Sequence, residues 1–190
     1  MANIGYVLFG VAVGTVGGLT GGLLHILNHA ISKGLLFLCA GAFESRIGSR
    51  NLNALSGISS TMPVTYISFF IGAFSLAGFP LFNGFWSEIL IIKSAFNVVA
   101  LPLIFLLVLN MVLSMAYCLR MVYILTLKPK TETSKSAKEA PIQLLIPIAV
   151  LATLCVLIGL FPNPFYDLAE FASTSAMNLE AYLKPVLGSG

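Results

Sequence analysis

His25-Ile26-Leu27-Asn28-His29-Ala30-Ile31-Ser32-Lys33, running on into Gly34-Leu35-Leu36-Phe37-Leu38-Cys39-Ala40-Gly41-Ala42-Phe43, is the stretch that decides the fold. It is long and apolar enough to cross a bilayer, which takes about 20 residues of helix. Yet it holds both histidines of the chain and a lysine. At i, i+4 and i+8 these side chains stack along one helical face, so His25, His29 and Lys33 form a stripe with Asn28 beside it. Titratable groups in hydrocarbon are costly, and they face a protein interior or a water-filled path. The remaining chain reads as helices that shelter and extend the stripe.

Composition supports this reading. Of the 190 residues, 58% are hydrophobic and only 9% charged, against roughly 25% charged in soluble domains, and the mean hydropathy is +0.97. Backbone in lipid must satisfy its own hydrogen bonds, which leaves helices or a closed barrel. The apolar runs are continuous rather than alternating, and that selects helices. The expected fold is therefore all-α, a polytopic membrane bundle with about five transmembrane helices. A net charge of +3 gives no basic patch dense enough for nucleic acid. Cys39, Cys118 and Cys155 sit singly inside apolar runs, without CxxC spacing, and read as small buried hydrophobes. The first residues lack the basic region of a cleavable signal peptide. No cofactor and no metal is expected: a zinc site on His25 and His29 would lack a third ligand and would be repelled by Lys33.

Taken in order, residues 1–16 predict a short apolar helix, followed by a glycine-rich break over 17–22 that permits close backbone approach. The second helix, 19–43, carries the stripe, and Glu44, Arg46 and Arg50 mark its exit into a polar loop. Pro63 suits the first turn of a third segment, 64–97. This segment is too long for one plain span, and Gly78, Pro80 and Gly84 predict that it breaks over 78–84. Irregular backbone at membrane depth is tolerated where it is buried or lines a cavity, and broken helices recur in ion paths. Glu88 follows within about one turn of that break. Lys93 lies five residues further on, as a second polar group on the path, a loose partner of Glu88, or a side chain reaching the interface. The fourth helix, 101–127, carries Asn110, Ser114, Tyr117 and Arg120, the last as an interfacial anchor. A basic loop, 128–140, precedes the fifth helix, 142–161, which Pro162 ends. The bundle thus covers 1–163, and a tail, 164–190, suits a short amphipathic helix at the interface. The loops at 44–63 and 128–140 carry the basic residues, so the positive-inside rule puts them in the cytoplasm and the tail outside, in a multi-pass cell-membrane protein.

Residues 3–10, the stripe from His25 to Ala42, the break with its GFWSE sequence over 84–88, and the run from Leu109 to Tyr123 resemble the antiporter-like proton-conducting subunits. These belong to respiratory complex I, Mrp-type sodium/proton antiporters and membrane-bound hydrogenases. The resemblance is to the C-terminal part of such subunits, the end of their second inverted repeat and the helix after it. It implies that His25, His29 and Lys33 lie on a central hydrophilic axis and that Glu88 stands at its outlet, with Lys93 matching a less clear position. It implies partners as well: other membrane subunits of a hetero-oligomer, including antiporter-like ones, besides lipid, protons and, as an open alternative, sodium. The chain would then be a non-redox membrane subunit that performs no catalysis itself. Alternative readings are a structural element that completes the membrane arm without conducting, and a piece of a longer antiporter-like subunit.

Overall fold

The computed structural model describes residues 2–96, 98 and 101–178. Asn97, expected to close the third segment, and residues 179–190 of the expected tail lie outside the described residues. Eight α-helices are described: α1 (Ala2–Ala12), α2 (Val16–Ile47), α3 (Pro63–Leu76), α4 (Asn83–Phe96), α5 (Leu101–Thr126), α6 (Glu132–Ser136), α7 (Ile142–Leu160) and α8 (Asn163–Met177). Two short 3-10 turns, Leu52–Leu55 and Ile58–Ser60, shape the loop after α2. Helices α2, α5 and α7 are each long and apolar enough to cross a membrane. Helices α3 and α4 make the discontinuous third segment of this membrane bundle, whereas α1, at 11 residues, rises only about 16 Å.

Helix α2 is the axis of the bundle and packs against α1, α3, α4, α7 and α8. Its 32 residues extend about 48 Å. It starts where Thr15 caps the Gly18 N–H and stops where Gly48, with φ of 70°, donates its N–H to the Glu44 carbonyl. The chain break therefore falls at Gly14, not over 17–22: Gly14 takes a left-handed φ of 69°, and Gly17 to Gly22 are already helical. Those glycines serve contact instead. A Cβ on Gly18 would come within 2.6 Å of the Gly10 carbonyl oxygen, and one on Gly21 within 2.7 Å of Ile91. Small residues let apolar helices approach at backbone distance.

The broken pair runs antiparallel to α2. Phe69 meets Phe43 with the rings tilted, Ser75 bonds Ser32, Ser87 meets His25, and Ile91 faces Gly21. The apolar core joins α2, α3, α5 and α7 through Leu35, Cys39, Phe43, Phe69, Ala73, Cys118, Ile148 and Cys155. After Phe161 and Pro162 the chain bends into α8. This helix packs back on α2, with Pro162, Asn163 and Tyr166 beside Leu24 and Trp86.

The two basic loops dock on each other. Thr131 donates to the Ala54 carbonyl at 2.8 Å and Lys128 Nζ to the Asn53 side-chain oxygen at 3.4 Å, while Gly57 N–H reaches the Ile124 carbonyl at the end of α5. Glu139, which composition places in a solvated connection, caps α3: its carboxylate accepts from Val64 N–H at 2.8 Å and from the Thr65 hydroxyl at 2.6 Å. The first N–H groups of a helix have no intrahelical partner, and an acid there also complements the helix dipole. Glu139→Ala should cost roughly 1–2 kcal/mol of stability. Thermal unfolding of the detergent-solubilised protein reads this directly, and an unchanged midpoint would show that the cap contributes nothing.

Candidate functional site

Polar side chains on α2 fall on two adjacent lines that diverge from His25. One is the expected stripe, His25, His29 and Lys33. The other, at i+3 and i+7, is Asn28 and Ser32. Rings of His25 and His29 stack with centroids 6.2 Å apart and planes at 19°. His25 is buried, and the ring of Tyr6 from α1 lies 5.4 Å from it. His29 and Lys33 are half-buried. They open into a cavity of about 130 Å³ with Asn3, Leu76, Ala77, Ser114, Tyr117 and Cys118, room for several waters. No room for water remains around His25, Asn28, Ser32, Ser75 and Gly84.

The second line meets the break. Asn28 donates its amide to the Asn83 carbonyl at 2.8 Å and to the Ser87 hydroxyl at 3.2 Å. Ser32 pairs with Ser75 at 2.7 Å and reaches the Asn83 amide oxygen at 3.3 Å. Ser75 itself pairs with Asn83. These five side chains are all buried, and they tie α2 to the end of α3 and the start of α4. Buried polar groups are as a rule mutually satisfied; among these five side chains, Asn28 Oδ1 is buried without a partner among the described residues.

The break has a local cause. Gly78 takes a left-handed φ of 70°, Phe79 N–H bonds back to the Phe74 carbonyl at 3.0 Å, and Gly78 N–H bonds to that of Ser75. This is a Schellman ending, with the rings of Phe74 and Phe79 in edge contact at 5.4 Å. Pro80 then prevents resumption of the helix. Leu81 sits at φ of 82°, an unusual conformation for a branched residue. Gly84, expected within the break, lies instead in the first turn of α4. Its missing Cβ admits the Ser75 carbonyl.

Glu88 is 2% exposed, and its carboxylate lies against Gly78. Its Oε2 has no hydrogen-bond partner among the described residues. Ala77 and Leu76, next to Gly78, line the cavity that holds Lys33 and His29. Tyr6 is within electrostatic reach of Glu88 and donates its hydroxyl to the Leu107 carbonyl at 2.6 Å.

Lys93 does not join this group. It is exposed and lines a separate cavity of about 330 Å³ with Leu24, Trp86 and Tyr166. Five residues turn a helix by roughly 500°, which puts Lys93 about 140° around α4 from Glu88. Among the described residues the ion pairs are Glu44–Arg50 and Glu132–Lys135, at the surface. Arg120 is exposed on α5. No group of three His, Cys, Asp or Glu among the described residues is placed to hold a metal. Ser32, Ser75, Asn83 and Ser87 are not among the site residues expected from sequence, although polar side chains gathering around a break in apolar sequence are the signal that finds them.

Comparison with known proteins agrees with this architecture. The chain is 34% identical over 181 residues to formate hydrogenlyase subunit 3 of Escherichia coli (strain K12), covering 84% of this chain and 30% of that protein. It is 34% identical over 180 residues to hydrogenase-4 component B of the same organism, covering 83% of this chain and 27% of the relative. In three dimensions it matches a chain of the Mrp complex from Dietzia sp. DQ12-45-1b with a TM-score of 0.89 and 26% identity, over 98% of this chain and 43% of that one. The chain thus spans less than half the length of each of these relatives. The family model described as NADH:quinone oxidoreductase/Mrp antiporter, TM, matches residues 1–114, more than half of the sequence. The chain belongs to the NADH:quinone oxidoreductase/Mrp antiporter membrane family.

Proposed function

We propose that the chain works as a membrane subunit of a multi-subunit ion-pumping redox complex or cation/proton antiporter, and that His25, His29, Lys33 and Glu88 form part of its proton path. The observation that carries this reading is a buried carboxylate, its Oε2 without a hydrogen-bond partner among the described residues, at a helix break one residue from the wall of the cavity that holds Lys33 and His29. A buried ionisable group left unpaired is costly, and within membrane segments such groups mark proton relays. The cavity that holds His29 and Lys33 has room for water, which would carry a proton between the two side chains. The helical relatives, named for hydrogenlyase, hydrogenase and Mrp complexes, support assembly with other membrane subunits. Joined basic loops on one side support a cytoplasmic position for residues 44–63 and 128–140.

Lys33→Ala tests the path. In vesicles carrying the reconstituted complex, ion translocation should fall at least about tenfold with the complex still assembled. Wild-type translocation would remove Lys33 from the path. A second reading, a scaffold that conducts nothing, is favoured by the dry packing around His25 and Asn28. On that reading point changes along the stripe are silent, and removing the chain lowers the abundance of the complex.

A further inference from the structure

We propose that Ser87 is a positioning residue that holds His25 in the Nδ1–H tautomer, so that Nε2 is the atom that takes up and gives back the proton. The inference deepens the path proposed above and rests on it.

His25 Nδ1 lies 3.0 Å from the Ser87 hydroxyl oxygen. The same hydroxyl has an acceptor of its own, the Gly84 carbonyl, at 2.9 Å. It also receives the Asn28 amide N–H at 3.2 Å. A serine hydroxyl has one proton and two lone pairs. With the proton on Gly84 and one lone pair taken by Asn28, the remaining lone pair faces Nδ1, which must then be the donor. Nε2 is buried and makes no hydrogen bond of ordinary length among the described residues, although the Asn3 backbone lies close to the ring. A buried N–H without an acceptor is rarer than an unused lone pair. The tautomer of a histidine is set by the hydrogen bond its second nitrogen makes.

The arrangement suits a group that changes charge in place. A proton added to the Nε2 lone pair leaves Nδ1–H, Ser87, Gly84 and Asn28 as they were, and its release from the same atom restores the starting state. The proton is exchanged with His29, whose ring stacks on His25 and whose Nδ1 is likewise unpartnered among the described residues, so the N–H bond on one ring breaks as that on the other forms. The titratable groups facing the ring are Tyr6 from α1 and His29 on α2, with Glu88 of α4 in electrostatic reach of Tyr6. Asn28 fixes the hydroxyl from behind, since its amide is also bound to the Asn83 carbonyl. The same hydrogen bonds thus anchor α4 and orient the histidine.

The experiment is nitrogen-15 NMR of the histidine rings in the intact complex in bilayers, with His25 identified by the signals lost in His25→Gln. The neutral ring should show a protonated Nδ1 and a bare Nε2. In Ser87→Ala the Nε2–H form should appear, and translocation should fall about tenfold. A neutral wild-type ring in the Nε2–H form would overturn the assignment. So would a Ser87→Ala ring that keeps the wild-type tautomer. If the tautomer is as stated but Lys33→Ala and Glu88→Gln leave translocation untouched, the path reading fails while the assignment stands.

Discussion

Replacing Glu88 by glutamine is expected to lower ion translocation at least about a hundredfold, within the range by which a positioned acid or base contributes to proton transfer. Glutamine has almost the same volume and remains polar, so the packing against Gly78 survives. The change removes a proton site and little else. In the described structure the carboxylate makes no ion pair and its Oε2 no hydrogen bond, so no partner is orphaned. Stability should change little, since the large penalties of buried-charge mutants come from stranding the other member of a pair. Two measurements on one preparation decide the matter: proton flux into vesicles, and the yield of assembled complex. Full flux at normal yield would exclude Glu88 from the path.

Gly84→Ala is expected to produce the largest loss of stability, roughly 3 kcal/mol, the upper end of what overpacking costs. A methyl group at this position would coincide with the Ser75 carbonyl oxygen. The obstacle is backbone, and no rotamer change can clear it. Ser75 cannot withdraw without loosening its bonds to Ser32 and Asn83, which hold the two half-helices to α2. The variant should accumulate poorly in membranes and melt well below the wild type after solubilisation. Normal abundance with an unshifted melting temperature would mean that the half-helices can part at this point without penalty.

Much of the architecture is legible because lipid leaves the backbone few options. Long apolar runs mark α2, α5 and α7, and Gly78 with Pro80 marks the discontinuity. The glycines at 17–22 show where such reading stops. A glycine run is equally compatible with a flexible break and with helices packed at backbone distance, and only the presence of α1 and α4 opposite decides. Helical periodicity brings His25, His29 and Lys33 to one face, but it does not say that Asn28 and Ser32 turn toward the break. That depends on the rotation of α2 against α3 and α4, set by Gly17, Gly21 and their partners Ser94 and Ile91. Lys93 could have been separated from Glu88 by its angle around α4 alone. Glu139 could not have been placed, because its cap joins residues 75 positions apart.

The approach of Gly159 to the backbone of Leu81 and Phe82, clamped by the indole N–H of Trp86 on the Gly159 carbonyl at 2.7 Å, leaves no slack between α7 and the interrupted segment. A displacement of one is expected to displace the other. Any neighbour that pushes on the α7–α8 elbow therefore pushes on the turn beside Glu88, so the elbow is a handle by which an outside force would reach the buried acid.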